Sequence, residues 1–261
     1  FAALDSPEDT LCARCEDPRV EYLFVRAQDV TKYVDSGAVY AGITGLDMML
    51  ENGSGARKVL ELAFGECEVA LAVPEDSAVR SVKALAGKRI ATKLPNISRR
   101  YLKRNGVKAE LLELYGATEI APEAGLAEAI IDQVQTGRTL MANQLRKIDT
   151  ITESSAWLIA APKAKKEFEV VLQEMSISLA GVKMAKGYKY LILNTSSDKA
   201  LKQVLSVLPS MESPTVLRLA KEGEWAVQTV VDEKQLATIV RKVKMAGGKD
   251  LLVMPLDKVI P

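Results

Sequence analysis

The sequence predicts an α/β protein with more than one domain. Three observations carry this. The chain has 261 residues, 48% of them hydrophobic, which suffices for more than one core at roughly 100–150 residues per domain. Short β-rich runs alternate with helix-like runs over most of the chain, the pattern of α/β folds with largely parallel sheets. The C-terminal part then changes to β-α-β-β-α-β, the order of a ferredoxin-like domain.

Strand runs are expected at 20–26, 39–43, 67–73, 89–92, 110–114, 129–134 and 155–160. Helical runs are expected between them at 28–36, 45–51, 78–85, 97–105, 119–127 and 139–146. Gly87 and Gly106 follow two of these runs and fit C-terminal caps. Asn96 stands where the helix at 97–105 wants an N-cap. A long helix is expected near 163–180. The last domain reads as strand 188–193, helix 197–207, strands 215–219 and 226–231, helix 233–246 and strand 251–256. Asp232 and the pair Gly247, Gly248 bound its second helix. This domain carries no catalytic cluster, so its order fits a structural or dimerising module as well as a ligand-sensing one.

Lysine plus arginine number 35 and aspartate plus glutamate 34, for a net charge of +1. That balance offers no global field for a nucleic acid or an anionic membrane, and neither is expected as a partner. Arg99 with Arg100, and Lys163, Lys165 and Lys166, form local basic clusters, which are commonly solvated faces. No apolar run approaches the roughly 18 residues of a membrane span, and no signal-peptide pattern is present. The sequence opens at Phe1 rather than methionine, so an N-terminal piece is expected to be missing.

Three cysteines and no histidine narrow the chemistry. Cys12 and Cys15 form a CxxC, which can bind zinc or cycle as a redox pair. Only Cys67 remains beside them, so a four-ligand Cys/His site cannot be completed within one chain. Reduced thiols in a cytoplasmic protein are the expectation. Ser-His-Asp and Cys-His catalysis are excluded.

Three segments could hold a ligand. "GITGLD", 42–47, places two glycines between a strand and a helix, either as a tight turn or as a close approach to a ligand. "RIATKLPN", 89–96, leads into a basic helix whose N-terminus could hold an anion. "IIDQVQTGRTL", 130–140, joins a strand to a helix through Thr136, Gly137, Arg138 and Thr139. Backbone N–H groups, two hydroxyls and an arginine suit a phosphate. On the strand just upstream, Glu128 and Asp132 lie four apart and share one face. An ionised carboxylate only accepts hydrogen bonds and a ribose diol donates them, so an acid followed by a phosphate loop suits a sugar phosphate. The residues alone leave a plain strand–turn–helix open and lean toward it.

"EIAPEAGLAEAIIDQVQTGRTLMANQL", 119–145, resembles the signature of the ATP phosphoribosyltransferase family, the first step of histidine biosynthesis. "FVRAQDV" (24–30), "GITGLD", "GKRIATKLPN" (87–96) and "LPSMESPTV" (208–216) are similar to that family in the same order, so the resemblance covers nearly the whole chain. It implies a two-lobed, periplasmic-binding-protein-like catalytic part, with lobe I at 1–84 and 162–185 and lobe II at 85–161. The terminal segment 186–261, ending in "LLVMPLDKVIP", resembles the regulatory domain of the long form, a homohexamer inhibited by histidine.

The implied reaction condenses ATP with phosphoribosyl pyrophosphate and releases pyrophosphate, with Mg²⁺ on the departing group. By resemblance, Gln135, Thr136, Gly137, Arg138 and Thr139 would hold the 5′-phosphate, and Asp132 with Glu128 the ribose hydroxyls. Arg26, Asp29, Thr44 and Asp47 would line the opposite lobe near ATP or pyrophosphate. Ser213, Thr215, Val231 and, more distantly, Asp250 match the region that contacts histidine. No side-chain nucleophile or base is implied. Tyr40 and Glu128 stand where members commonly carry aspartate, and the family's usual first strand and glycine-bearing loop precede Phe1. A non-catalytic solute-binding protein of the same two-lobed build, a short-form enzyme and another phosphoribosyltransferase are the rival readings. The acid with its phosphate loop, the C-terminal domain and the four-residue spacing of the acids speak against them in turn.

Overall fold

The computed structural model describes residues 1–4, 10–163, 165–209 and 213–260. The chain divides into two compact units, Phe1–Ser176 and Ile177–Pro261. In the first, β1 (Cys12–Arg14) and β2 (Glu21–Leu23) form an antiparallel pair. Then come α1 (Ala27–Asp35), β3 (Ala41–Gly45), α2 (Leu46–Asn52), β4 (Arg57–Glu61) and β5 (Cys67–Pro74). They are followed by β6 (Arg89–Thr92), α3 (Pro95–Arg104), β7 (Glu110–Glu113), β8 (Ala129–Val134) and α4 (Arg138–Ala142). β9 (Leu145–Ser154), β10 (Ala156–Ala160) and α5 (Lys166–Ala185) complete the run, α5 carrying the chain across the division.

The first unit is two-lobed, as the resemblance implies. One sheet has the order β3-β10-β4, the other β7-β6-β8-β5-β9. This moves the expected lobe limits. β5 was expected in lobe I and β10 in lobe II, but β5 pairs with β8 and β9, and β10 with β3 and β4. The chain therefore crosses between lobes after β4 and again at Ser155, rather than at 84 and 161. β5 is buried on both faces, which only the interior of the larger sheet provides. The larger sheet is also mixed and the smaller one antiparallel, rather than largely parallel. Among the described residues only β6 with β7 and β6 with β8 run parallel, because the strands next to each crossing return antiparallel.

Three expected helices differ for local reasons. Within 78–85 the buried Val79, Val82 and Leu85 recur every three residues, and only a 3₁₀ turn forms, Val82–Leu85. Within 119–127, Pro122 and Gly125 limit the helix to a 3₁₀ turn at Thr118–Ile120. The helix at 139–146 stops at Ala142, and β9 begins at Leu145.

The larger sheet is covered on both faces. Val69, Leu71, Ile90, Ala129 and Ile131 pack against Ile97, Tyr101 and Leu102 of α3. The opposite face carries Ala70, Ala72, Ala91 and Ile130, packed with Leu140 and Leu145. The alternation of strand side chains thus sends odd-numbered residues of β8 to one face and even-numbered ones to the other.

The second unit contains β11 (Tyr188–Thr195), α6 (Asp198–Val207), β12 (Thr215–Arg218), β13 (Trp225–Asp232), α7 (Leu236–Met245) and β14 (Lys249–Pro255). Its sheet is antiparallel in the order β12-β13-β11-β14, the ferredoxin-like arrangement expected from the sequence. Leu191, Leu193, Val227 and Val231 form its core with Val204 of α6 and Ile239 and Val243 of α7. Gly248 is required there, since a Cβ would lie 2.5 Å from Val243 Cγ1.

Within the first unit, helix α2 ties the lobes together. The helix expected from 97 starts at Pro95, and its preceding residue, Leu94, offers no side-chain cap. The cap comes from the other lobe instead. Glu51 Oε1 accepts from the Asn96 N–H and Glu51 Oε2 from the Ile97 N–H, both at 2.9 Å. The Asn96 side chain, expected to be the cap, donates to the Glu51 carbonyl at 3.0 Å. The anion foreseen at this helix end is therefore an internal carboxylate, favoured by the helix dipole. Glu51→Ala is expected to destabilise the protein by about 1–3 kcal/mol, and Glu51→Gln by less, measured as shifts in urea midpoints.

Candidate functional site

β8 ends in the residues that the sequence singles out. Asp132 is 2% exposed, and its Oδ1 accepts the Gln133 N–H at 2.6 Å and lies 2.8 Å from Lys93 Nζ. The lysine follows the end of β6, which runs parallel to β8 with Thr92 opposite Ile131. Strand register alone thus sets Lys93 beside Asp132. After Val134 the chain turns through exposed Gln135 and Thr136 to Gly137, whose φ of +72° is the left-handed region that favours glycine. Arg138 and Thr139 are exposed on the first turn of α4. Among the described residues the hydroxyls of Thr136 and Thr139 have no hydrogen-bond partner, so both remain available to a ligand.

Glu128 has a different setting. It precedes β8, and its Oε2 accepts the Arg89 N–H at 2.8 Å. That bond holds its carboxyl below the usual carboxylate range, with Arg89 and Lys88 adding to the effect.

On the first lobe the four expected residues separate into two kinds. Arg26 is exposed at the start of α1, and Asp29 pairs with Lys32 at 2.9 Å. Thr44 and Asp47 are buried and already engaged. The Thr44 hydroxyl donates to the Ala27 carbonyl at 2.7 Å. Asp47 Oδ1 accepts from Ser154 Oγ at 2.6 Å, and Oδ2 accepts from the Gln133 side-chain amide. The carboxylate folds back so closely that a Cβ at Gly45 would lie 2.2 Å from its Oδ1. Asp47 therefore joins the lobes through Gln133, the residue next to Asp132.

A polar cleft of about 650 Å³ lies where the two lobes meet, with Leu46, Glu61, Cys67, Gln135, Ser154 and Trp157 on its walls. Burial pushes the Cys67 thiol up, as does the charge of Asp47, while a Ser154 hydrogen bond and Lys93 oppose the shift. Sequence reasoning passed over Lys93, Gln133, Ser154 and Glu51. The available signal for Lys93 was its place directly after a strand that runs parallel to β8.

The CxxC lies in extended backbone, with Cys12 exposed and Cys15 buried. Residues three apart in a strand have Cα atoms roughly 10 Å apart, beyond disulfide reach. All three cysteines are free thiols. Among the described residues no group of three Asp, Glu, Cys or His could hold a metal ion, and no helix is long and apolar enough to cross a membrane.

The four residues matched to histidine contact do not gather in one place. Ser213 and Thr215 are exposed, Thr215 at the start of the edge strand β12. Val231 is 2% exposed within the core and pairs with Lys189. Asp250 sits at the other end of β11, accepts from Asn194 Nδ2 at 3.3 Å, and has a φ of +50° beside a register shift.

Comparison with known proteins completes the assignment. Residues 26–181 match the family model described as ATP phosphoribosyltransferase, and residues 185–258 match the HisG C-terminal domain. The chain belongs to the ATP phosphoribosyltransferase family. It is similar to the ATP phosphoribosyltransferase of Methanosarcina acetivorans, with 39% identity over 256 residues, 96% of this chain and 88% of the relative. The ATP phosphoribosyltransferase of Methanothermobacter thermautotrophicus is 39% identical over 259 residues, covering 98% and 90%. Among solved structures, the ATP phosphoribosyl transferase (HisG:HisZ) complex from Thermotoga maritima aligns with a TM-score of 0.59 and 29% identity, over 65% of this chain and 83% of that one. ATP phosphoribosyltransferases are pentosyltransferases of histidine biosynthesis, and the activity is assigned on that basis.

One acid-sensitive group borders the cleft. Hydrogen bonds from Lys147, at 2.6 Å, and Thr150, also 2.6 Å, hold the Glu68 carboxyl below the usual range. Its stabilisation is complete above the unfolded value of about 4.3 and is lost as pH falls through the lower folded value. Urea midpoints taken from about pH 6 to about pH 3 should therefore fall less steeply for Glu68→Gln than for the wild type.

Proposed function

We propose that the enzyme condenses ATP with 5-phosphoribosyl 1-pyrophosphate to give N1-(5-phosphoribosyl)-ATP and pyrophosphate, under feedback inhibition by histidine. One observation supports this most. A buried carboxylate, Asp132, ends a strand that opens directly into a loop with a left-handed glycine and two unengaged hydroxyls. Asp132 accepts hydrogen bonds from the ribose diol. The N–H groups and hydroxyls of 135–139, with Arg138, hold the 5′-phosphate.

The adenine N1 lone pair attacks C1 of the ribose. The bond from C1 to the pyrophosphate oxygen breaks, and its electron pair leaves with pyrophosphate. No side-chain nucleophile takes part, so the protein's contribution is alignment of two anionic substrates and stabilisation of the leaving charge. Arg26 and Asp29, from the "RAQD" that resembles the family, are the first-lobe residues assigned to ATP or pyrophosphate. Thr44 and Asp47 shape that wall from behind, because their polar atoms are already used within the chain. Glu128 supports the strand end through Arg89 rather than contacting the sugar. Mg²⁺ enters on the substrate phosphates, as is usual for an ion that keeps several waters and few protein ligands.

The C-terminal unit carries the histidine response, and the active form is a homo-oligomer, dimeric or hexameric, of the cytoplasm. Pyrophosphate release from ATP plus phosphoribosyl pyrophosphate tests the reaction. Asp132→Asn combined with Thr139→Ala should weaken phosphoribosyl pyrophosphate by at least about tenfold, and an unchanged KM contradicts the assignment. Histidine should lower the rate of the full chain. A chain ending at Ala185 should stay active and lose that response, and retained inhibition counts against the regulatory role.

A further inference from the structure

Lys93 is the cation the site has beyond those the sequence pointed to. It pairs with Asp132 at 2.8 Å, but the two partners differ in exposure: the carboxylate side chain is 3% exposed and the lysine side chain 36%. A sunken carboxylate left without a partner is strongly unfavourable, and Lys93 is the cation that neutralises Asp132 here. Among the described residues the carboxylate is met by Lys93 Nζ and the Gln133 N–H, both on Oδ1. Lysine is a compact charge on a long flexible stem and can leave once other donors replace it. A ribose diol supplies two such donors. Its charge also opposes the upward shift of the Cys67 thiol, which lies on the cleft wall.

Substrate chemistry indicates where the lysine would go. In phosphoribosyl pyrophosphate the carbon bearing the 2-hydroxyl adjoins C1, which carries the pyrophosphate. The 5′-phosphate lies farther along the sugar. The anion nearest a diol held by Asp132 is therefore the leaving group.

We propose that Lys93 is a substrate-responsive cation: it neutralises Asp132 until the ribose hydroxyls take over the carboxylate, and then moves onto the 1-pyrophosphate. The proposal rests on the placement of the ribose at Asp132 given above. In this role Lys93 supports the negative charge that grows on pyrophosphate as the C1–oxygen bond breaks. It also makes the recognition of the sugar and of the leaving group one linked event.

Titration calorimetry with two probes tests this on the full-length chain. Phosphoribosyl pyrophosphate carries diol, 5′-phosphate and pyrophosphate, whereas ribose 5-phosphate lacks the pyrophosphate. Lys93→Met should weaken phosphoribosyl pyrophosphate by about tenfold or more and leave ribose 5-phosphate within about threefold. Lys93→Arg should recover part of the loss and guards against a folding defect in the methionine variant. Asp132→Asn should weaken both probes. A Lys93→Met protein that binds both probes like the wild type, or loses both equally, overturns the proposal, the second result marking a fixed structural pair. If Asp132→Asn weakens neither probe, the ribose placement itself fails and the proposal falls with it.

Discussion

The first unit depends on two buried carboxylates of one short helix. Asp47 and Glu51 are four residues apart, so α2 presents both on one face. Neither can be buried without partners, and both find them beyond their own sheet. Glu51 takes two N–H groups at the start of α3. Asp47 takes the Gln133 side chain of β8 and Ser154, the residue at which β9 ends and the chain returns to the first lobe. Separating the lobes would take from Glu51 its two N–H partners and from Asp47 the Gln133 amide, and would leave α3 uncapped. The position of the cleft therefore follows from electrostatics as much as from apolar packing.

β8 connects this clamp to the chemistry. Strand side chains alternate, so Gln133 faces α2 while Asp132 faces the opposite side with Lys93. Gln133 serves both, through its side-chain amide to Asp47 and its backbone N–H to Asp132 Oδ1. One strand thus joins the interlobe anchor and the sugar-recognising acid in adjacent residues. Gly45 belongs to the same construction, because no side chain fits beside the folded-back Asp47 carboxylate.

Much of this was legible in the sequence. β6 and β8 have the limits that their β-branched and apolar runs predict, and the C-terminal order fixed a ferredoxin-like sheet. The acid and loop at 132–139 were readable because consecutive residues carry them. β9 was not readable, since register shifts opposite Val69 and Leu71 break its period-two pattern. The lobe limits were misjudged for a related reason: local pattern does not reveal which sheet a strand joins. Glu51, Gln133 and Lys93 escaped notice because their partners are 45, 86 and 39 positions away in sequence, separations that no local motif spans. Tyr40, doubtful as a site residue, gains a packing role instead, donating to Glu169 Oε1 at 2.7 Å with Arg57 on the same carboxylate.

The clamp makes a claim about individual amides. First-turn N–H groups of a helix have no partner within the helix and ordinarily exchange freely with solvent. Here Asn96 and Ile97 are closed by a carboxylate of the other lobe. Residue-resolved hydrogen exchange on the intact enzyme measures this directly. Both amides should be protected to a degree comparable with the middle of α3. Exchange at the rate of an open helix end would contradict the clamp.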